Sequence, residues 1–467
     1  GRIRARVLSK KSIGFLFLVS CFLFLISGEG FGQINYYSKP AGNLNTLATW
    51  GTSTDGSGST PANFTTANQI FNVRNNAAPT IGANWTVSGA GSKVIIGDGT
   101  NACVFTIPGA LTFTATCDVS NNGTLKVTST AGTPYSGTLT VNAGGTYEHA
   151  RNGGAIPLAT WDPASYCNIT GITNTILTIP NADYGNFSWN CFGQSLTNPI
   201  SGFDGKTIFG DLNIISTGSG NLRFATNTSR TFTIAGDLNI SDGVLNLCSG
   251  TGSGTINLSG DFNLSGGTVT ETNVGYGAIV FINTSTVQNF NRSLGSISNT
   301  INFTINSNVI LNFGVDDYVN GTGAFTVSNQ ATLQTAHPLG INGSIQTSNQ
   351  SFSSSANYSF LGTSAQETGS YLPSNVNNLI FDNPAGVTLT NSVTNSGILD
   401  LNSGAFNLNG KTLTIPASGQ ISCGGGTING NAGSSVIFNN TVPTNFPAGT
   451  YQNVTLNTAG GVSMCGN

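Results

Sequence analysis

The sequence predicts an all-β protein, a parallel β-solenoid (β-helix) built from three-strand rungs of roughly 20–26 residues. One observation is a repeated phrase at positions 210–214, 236–240 and 260–264: Gly-Asp, then Leu or Phe, Asn, and Ile or Leu. Between consecutive copies lie two further stretches with apolar residues at i and i+2. In addition, only 7% of the 467 residues are charged and 62 are glycine, which disfavours long exposed helices.

An antiparallel β-sandwich is the competing fold prediction, because it too is made of short alternating strands. It requires hairpins that join pairs of strands every ~8–12 residues. The three-strand block of the repeated phrase returns over a longer interval, from Gly210 to Gly236 and then to Gly260, which favours the solenoid. In that fold each backbone group pairs with the rung above or below, so outward Thr, Asn and Ser are tolerated.

Residues 1–32 are predicted to be a signal peptide. Five basic residues lie within the first eleven positions, an apolar run follows at positions 13–26, and positions 30–32 offer a cleavage site with small residues. An uncleaved anchor is the alternative, although the apolar run is short for a membrane span of about 20 residues. We therefore expect a chain without a transmembrane span after cleavage, secreted or held on the cell surface.

The remaining chain divides into three predicted regions. Residues 33–92 are irregular and hold Trp50 and Trp85, which suits an N-terminal cap over the open first rung. Residues 93–200 are predicted to be solenoid with longer loops, and residues 201–467 to be regular solenoid repeats. Because the sequence stops within an alternating pattern, we expect a fragment truncated at its C-terminus.

Charged residues are spread thinly, with ten basic and seventeen acidic residues after position 32. The sequence contains no basic stripe suited to nucleic acid and no basic amphipathic helix suited to a membrane surface. We therefore expect no nucleic-acid partner.

The repeated phrase places Asp211, Asp237 and Asp261 in a column about 5 Å apart if the rungs stack in register. Such a column is a candidate Ca²⁺ site. The alternative is that each aspartate stabilises a turn by accepting hydrogen bonds from nearby backbone. Because the phrase is not the Gly-Gly-x-Gly-x-Asp pattern of calcium-binding β-rolls, we prefer this alternative and expect no cofactor. The asparagines two positions later should stack as an amide ladder: Asn213, Asn239 and Asn263.

The densest group of ionic side chains lies at positions 147–151, with Asp162 following in the next stretch. A polysaccharide lyase or glycoside hydrolase needs two carboxylates, or a carboxylate and a base, at a groove. Glu148 and Asp162 are candidates for that pair, and Arg151 is a candidate for holding an acidic sugar. In a strand, however, Glu148 and Arg151 face opposite sides, which favours a solvated loop or a salt bridge.

Three aromatic residues in the same region are candidates for stacking on sugar rings: Trp161, Tyr184 and Trp189. The alternative is that these rings fill irregular rungs from within. We prefer the second interpretation.

Cysteine spacing raises one disulfide candidate. Cys167 and Cys191 are as far apart in sequence as Gly236 and Gly260 of the repeated phrase, which is one predicted rung. Stacked strands lie about 4.8 Å apart, within reach of a disulfide. A Cys167–Cys191 disulfide and two unrelated buried thiols are equal alternatives.

Several stretches resemble large exported β-strand-repeat proteins of Bacteroidetes-type bacteria. The similar stretches lie at positions 145–149, 156–161, 169–173 and 372–379, together with the repeated Gly-Asp-Leu-Asn-Ile phrase. Such proteins lie on the cell surface, are usually secreted through the type IX system, and typically end in a C-terminal sorting domain that is not found within this sequence. The resemblance implies export and an adhesin-like role, and it implies no catalytic residues.

We therefore expect an exported, non-catalytic structural or adhesin-like repeat protein that binds polysaccharide or extracellular matrix. One alternative is a β-helix polysaccharide lyase or glycoside hydrolase, against which the sparse charge argues. Another is a passive stalk for a domain beyond position 467. Fold alone does not decide among them.

Overall fold

The computed structural model describes residues 32–465. These residues form a parallel β-solenoid of about 17 turns, with 45% strand and 2% helix, which confirms the predicted fold class. We call each turn a rung. The predicted signal peptide lies, apart from its last residue, outside the described residues.

The first half of the chain contributes the strands as far as Thr270. They are β1 Ile34–Ser38, β2 Trp50–Gly51, β3 Gln69–Val73, β4 Trp85–Thr86, β5 Lys93–Ile96, β6 Cys103–Ile107, β7 Phe113–Thr114, β8 Cys117–Val119, β9 Gly123–Val127, β10 Tyr135–Ser136, β11 Leu139–Val141, β12 Thr146–His149, β13 Gly154–Ala155, β14 Ala159–Trp161, β15 Tyr166–Ile169, β16 Leu177–Thr178, β17 Asn186–Asn190, β18 Thr197–Pro199, β19 Thr207–Ile208, β20 Leu212–Ser216, β21 Asn221–Ala225, β22 Arg230–Ile234, β23 Leu238–Ile240, β24 Val244–Cys248, β25 Ser253–Leu258, β26 Phe262–Leu264 and β27 Thr268–Thr270.

The second half continues in the same way. Its strands are β28 Tyr276–Phe281, β29 Gln288–Arg292, β30 Ser296–Ile297, β31 Ile301–Ile305, β32 Ile310–Phe313, β33 Val319–Val327, β34 Thr332–Thr335, β35 Ile345–Phe352, β36 Asn357–Phe360, β37 Gln366–Glu367, β38 Asn375–Val376, β39 Leu379–Asp382, β40 Val387–Thr388, β41 Val393–Asn395, β42 Ile398–Ser403, β43 Ala405–Asn407, β44 Thr412–Ile415, β45 Gln420–Cys423, β46 Thr427–Asn429, β47 Ser435–Phe438, β48 Thr444–Phe446, β49 Gly449–Thr450, β50 Asn453–Leu456 and β51 Val462–Met464. The helical segments are the 3-10 turns Leu47–Thr49 and Ser201–Phe203 and the short helix α1, Ile341–Ser344.

Three sheets form most of the solenoid wall. The long sheet has fifteen strands, in the order β45-β42-β39-β36-β34-β32-β29-β26-β23-β20-β17-β15-β12-β9-β6. The N-terminal sheet has the order β14-β11-β8-β5-β3-β1-β2, and the central sheet has the order β19-β22-β25-β28-β31-β33-β35. Six smaller sheets of two, three or five strands complete the rungs of the described chain.

The core follows from the two-residue alternation of each strand, because equivalent apolar residues of successive rungs lie on top of one another. In the long sheet Leu212 pairs with Leu238, Leu238 with Phe262, and Phe262 with Phe290, which in turn pairs with Phe313. The Phe290 ring stacks on the rings of Phe262 and Phe313, with 4.8 Å between centroids in both pairs. All five side chains are buried, so the core runs as a column along the solenoid.

Rung length varies more than the sequence predicts. Along the core column of the long sheet, the first rungs contain fewer residues than the later ones. In chain order its members are Phe105, Leu125, Tyr147, Cys167 and Phe187, and then Leu212, Leu238, Phe262 and Phe290. The members before Phe187 are closer together in sequence than those after it. The longer loops expected at residues 93–200 therefore do not lengthen the rungs there.

The N-terminal segment at residues 33–92 stacks directly on the rest of the solenoid, because β3 pairs in parallel with both β1 and β5. The short strand β2 runs antiparallel to β1 and pairs with its last two residues, Tyr37 and Ser38. Trp50 of β2 is buried, stacks on Trp85 at 5.8 Å, and donates its indole N–H to the Leu44 carbonyl oxygen. This arrangement shields the end of the first strand edge from pairing with another chain.

At the other end, the last described strands are bonded on one side only. Val454, Leu456 and Met464 remain exposed, although β50 pairs with β47 and β51 pairs with β48. A disulfide between Cys423 and Cys465 ties this final segment to the long sheet. Within residues 32–465 there is no helix that is long and apolar enough to cross a membrane.

Candidate functional site

The predicted aspartate column exists, and its carboxylates bind backbone rather than each other. The Asp211 Oδ1 atom accepts the backbone N–H of Asp237 at 2.9 Å, and Asp237 Oδ1 accepts that of Asp261 at 2.7 Å. Asparagines continue the pattern at both ends, since Asn186 Oδ1 accepts the Asp211 N–H and Asp261 accepts the Asn289 backbone and side-chain N–H groups. The carboxylates thus accept backbone hydrogen bonds, as the structural interpretation expects, but from the following rung rather than from their own turn.

The glycine of each phrase permits this contact. A Cβ atom on Gly236 would collide with the Gly210 backbone and with the Asp211 carboxylate, and one on Gly260 would collide with the equivalent atoms one rung on. Burial, and then the charges of Asp211 and Asp261, raise the pKa of Asp237. Within the described chain no group of three or more His, Cys, Asp or Glu residues is placed to hold a metal ion.

The predicted amide ladder is confirmed. Asn239 Nδ2 donates to Asn213 Oδ1 at 3.0 Å, and Asn263 Nδ2 donates to Asn239 Oδ1 at 2.8 Å. Asn291 extends the ladder by donating to Asn263 Oδ1 at 2.7 Å. The ladder stabilises the register of four rungs on the outer face of the long sheet.

The residues proposed for catalysis lie on different parts of a rung. Glu148 projects from β12 of the long sheet and forms an ion pair with Lys126 of the preceding rung, 2.9 Å between Nζ and Oε1. It also accepts the Thr170 hydroxyl at 3.0 Å. Asp162 follows β14 of the N-terminal sheet, where its Oδ1 atom accepts the Ala164 backbone N–H. Glu148 is thus held in a salt bridge and Asp162 in a turn, as the structural alternative predicts.

The inward residues of the same cluster are held by the backbone and by each other. Arg151 donates to the Ala131 carbonyl oxygen at 2.6 Å. His149 is buried, with Nε2 at 2.8 Å from the Gly153 carbonyl oxygen and Nδ1 at 3.1 Å from the Tyr147 hydroxyl. Since a carbonyl can only accept, Nε2 carries the proton and Nδ1 accepts the hydroxyl. Burial lowers the pKa of His149 to about 4.

The three aromatic candidates belong to the core. Trp189 and Tyr184 are fully buried, and Trp161 is 9% exposed. Tyr184 packs against Trp161 at 5.1 Å between ring centroids, and the Trp189 indole N–H donates to Gln194 Oε1 at 2.7 Å. A ligand cannot reach these rings, so the preferred interpretation, that they fill the rungs from within, is confirmed and the alternative of stacking on sugar rings is wrong.

The proposed disulfide between Cys167 and Cys191 is also wrong, because both thiols are free and buried. The rung here is shorter than the repeated phrase predicts, so Phe187 rather than Cys191 stacks on Cys167. Cys191 follows the end of β17, and its Sγ atom lies 3.5 Å from the Ile169 carbonyl oxygen. Burial raises the pKa of both thiols, which makes them poor nucleophiles.

The outer side of the central sheet carries an ordered array that we call the threonine face. Five successive rungs each contribute three residues at i, i+2 and i+4, aligned in columns by the parallel register. All but Ser253, which is 9% exposed, are partly or fully exposed. The fifteen residues are Ser229, Thr231 and Thr233; Ser253, Thr255 and Asn257; Tyr276, Ala278 and Val280; Thr300, Asn302 and Thr304; and Thr322, Ala324 and Thr326. Seven are threonine and none is charged.

Contacts between rungs hold this face in place. The Ser253 hydroxyl donates to the Ser229 hydroxyl at 3.0 Å, and Asn302 Oδ1 accepts the Ala324 backbone N–H at 2.8 Å. The sequence patterns did not identify the face. A signal was present in stretches such as 231–233, 302–304 and 324–326, where one phenylalanine lies between two small residues.

No family model, no curated protein and no solved structure matches this chain.

Proposed function

We propose that this chain is an exported repeat protein of the bacterial cell surface, a non-catalytic scaffold that holds polysaccharide or extracellular matrix along its outer faces. The observation that carries the proposal is the uninterrupted stack of fifteen parallel strands in the long sheet. Such a stack places one outward row of side chains per rung at a constant spacing of about 4.8 Å. A polymer with its own repeat can use many such contacts together, and their effects multiply.

Two features support a role in binding rather than in catalysis. Glu148 is engaged by Lys126 and Thr170. Asp162 and Arg151 hydrogen-bond to backbone groups of their own surroundings. A general acid or base must reach the substrate at a groove, and these three side chains do not converge on one.

Export is supported by the sequence of residues 1–32 and by the resemblance to Bacteroidetes-type surface proteins. The Cys423–Cys465 disulfide agrees with an oxidising compartment. On intact bacteria that express the full chain, added protease should degrade it. Protection of the chain until the cells are lysed would contradict a surface location.

Binding and turnover can be separated in one experiment. The purified protein is run through gels that contain neutral or acidic polysaccharides, and release of reducing or unsaturated ends is followed in parallel. Retention without release of ends is the expected result. Release of ends that is lost in Glu148→Ala or Asp162→Ala variants would establish an enzyme instead, and neither retention nor release would leave only a passive stalk.

A further inference from the structure

The threonine face is a regular array on the outside of a sheet. Strands lie about 4.8 Å apart and side chains on one face of a strand about 6.7 Å apart, so five rungs and three columns span roughly 19 by 13 Å. Binding sites for small molecules are usually concave. A surface of this shape fits an extended partner better than a compact one.

The face also lacks formal charge, unlike two other surfaces of the solenoid. The long sheet carries the Lys126–Glu148 ion pair and the aspartate column, and the N-terminal sheet carries an ion pair between Lys93 and Asp118 at 2.6 Å. Arg230 lies at the border of the threonine face, and its charge is met by Asp204 at 2.9 Å. An acidic polymer would find no counter-charge here.

One aromatic ring stands within the array. Tyr276 is in the third of the five rungs and is 46% exposed. Its neighbours in the column are Ser253 on one side and Thr300 on the other. A tyrosine ring offers an apolar surface against which the C–H groups of a sugar ring can pack. The Ser253 hydroxyl is buried and donates to Ser229, but the partly exposed Thr300 hydroxyl beside the ring can bond a sugar oxygen.

We propose that the threonine face binds a neutral polysaccharide, with Tyr276 stacked on one sugar ring and the surrounding hydroxyl and amide groups bonded to sugar hydroxyls. The inference rests on the proposed function and names its surface and ligand class. A second copy of the chain is disfavoured as the occupant, because the centres of stable protein interfaces are largely apolar, whereas eleven of the fifteen residues here are Thr, Ser or Asn.

The test compares Tyr276 with an exposed tyrosine that lies outside the sheets. Tyr276→Ala is expected to weaken retention by soluble neutral glucans and xylans about tenfold, as for a central contact residue. Tyr276→Phe keeps the ring and should bind nearly as well as the native protein. Tyr371→Ala is the control, because Tyr371 is 39% exposed in a turn between β37 and β38, outside the sheets, and it should leave retention unchanged. Circular dichroism must show the same melting temperature for all variants.

A second variant tests the face away from the ring. Thr304→Lys adds a charged, long side chain to the array and should also reduce retention by neutral polymers. If the native protein is retained and neither Tyr276→Ala nor Thr304→Lys changes this, the threonine face is not the site, although the proposed function stands. If only polygalacturonate or another acidic polymer is retained, the ligand class is wrong.

Two remaining outcomes would also overturn the inference. If no polymer retains the native protein, the proposed function itself fails. If light scattering finds a dimer that Tyr276→Ala dissociates, the face is an interface between copies of the chain and the inference is overturned.

Discussion

The Asp237 carboxylate accepts the backbone N–H of Asp261 in the next rung, with 2.7 Å between Oδ1 and N. Asp261 in turn accepts the Asn289 backbone N–H, so each side chain of the column serves the backbone of the following rung. The repeated Gly-Asp phrase therefore joins rungs at a corner between two strands. Backbone hydrogen bonds between rungs continue through Gly236 and Leu238, and the aspartate side chain accepts the one N–H between them.

Replacing Asp237 separates its hydrogen bond from its charge. Asp237→Ala leaves the Asp261 N–H without its acceptor and should lower the free energy of unfolding by about 1–3 kcal/mol. Asp237→Asn keeps an acceptor oxygen and should be far less harmful. Chemical denaturation of both variants checks this, and equal losses would show that the hydrogen bond is not what stabilises the corner.

The same carboxylate should make stability depend on pH. Burial and the neighbouring carboxylates raise the folded-state pKa of Asp237 above its ordinary value of 3.8. The folded state then binds the proton of Asp237 more tightly than the unfolded state does. The stabilisation that this proton provides is therefore lost as pH rises above 3.8 and Asp237 ionises in the folded state. Relative to the native protein, Asp237→Asn should gain stability between acidic and neutral pH. An unchanged difference across that range would contradict the raised pKa.

The backbone around the glycines of the repeated phrase is closely packed, so one added methyl group should lower the stability of the fold. In Gly236→Ala the added Cβ would meet the Gly210 backbone and the Asp211 carboxylate. Forced overpacking of this kind typically costs about 1–3 kcal/mol. Gly132→Ala is the control, because a Cβ at Gly132 has no atom within 4 Å. Similar melting temperatures for the two variants would refute the close approach.

Features that recur with the repeated phrase can be predicted from the sequence. Prediction fails where the length of a rung changes. Asp211, Asp237 and Asp261 lie at equal positions of equal phrases, so their stacking follows once the phrases pair in parallel register. The position of Cys191 could not be predicted in the same way. Its rung is shorter than those that contain the phrase, and no repeated sequence motif indicates its length.

The threonine face was missed for a related reason, because its columns mix residue types. Tyr276, for example, lies between Ser253 and Thr300, and only the register of three rungs brings them together. A structural repeat that has no matching sequence repeat can therefore be recognised only once the pairing of the strands is known.

Removal of the Cys423–Cys465 disulfide should loosen only the end of the described chain. Cys423→Ser should release the segment that ends at Cys465, whose strands β50 and β51 are bonded on one side only. Limited proteolysis should then cut positions 444–464 faster while the rest of the solenoid stays intact. Non-reducing peptide mapping of the native protein should find Cys423 linked to Cys465. A link between Cys167 and Cys191 would contradict the structure.

His149 should govern stability in mildly acidic solution. Its folded-state pKa is about 4 against an ordinary 6.5, and burial is the main cause. The folded state therefore binds fewer protons than the unfolded state between these values, so the free energy of unfolding is full above pH 6.5 and falls as pH drops toward 4. A shift of this size corresponds to roughly 3 kcal/mol.

Substitution of this histidine isolates its share of the acid sensitivity. His149→Gln removes the titrating ring and should flatten the dependence of unfolding free energy on pH between 6.5 and about 4. His337→Gln is the control: burial also lowers the pKa of His337, but its ring is only partly buried, so most of the dependence should persist. Chemical denaturation at several pH values measures both. A dependence that survives in His149→Gln would assign the acid sensitivity to the carboxylates, because protonation of the ring beside Tyr147 would then cost the fold little.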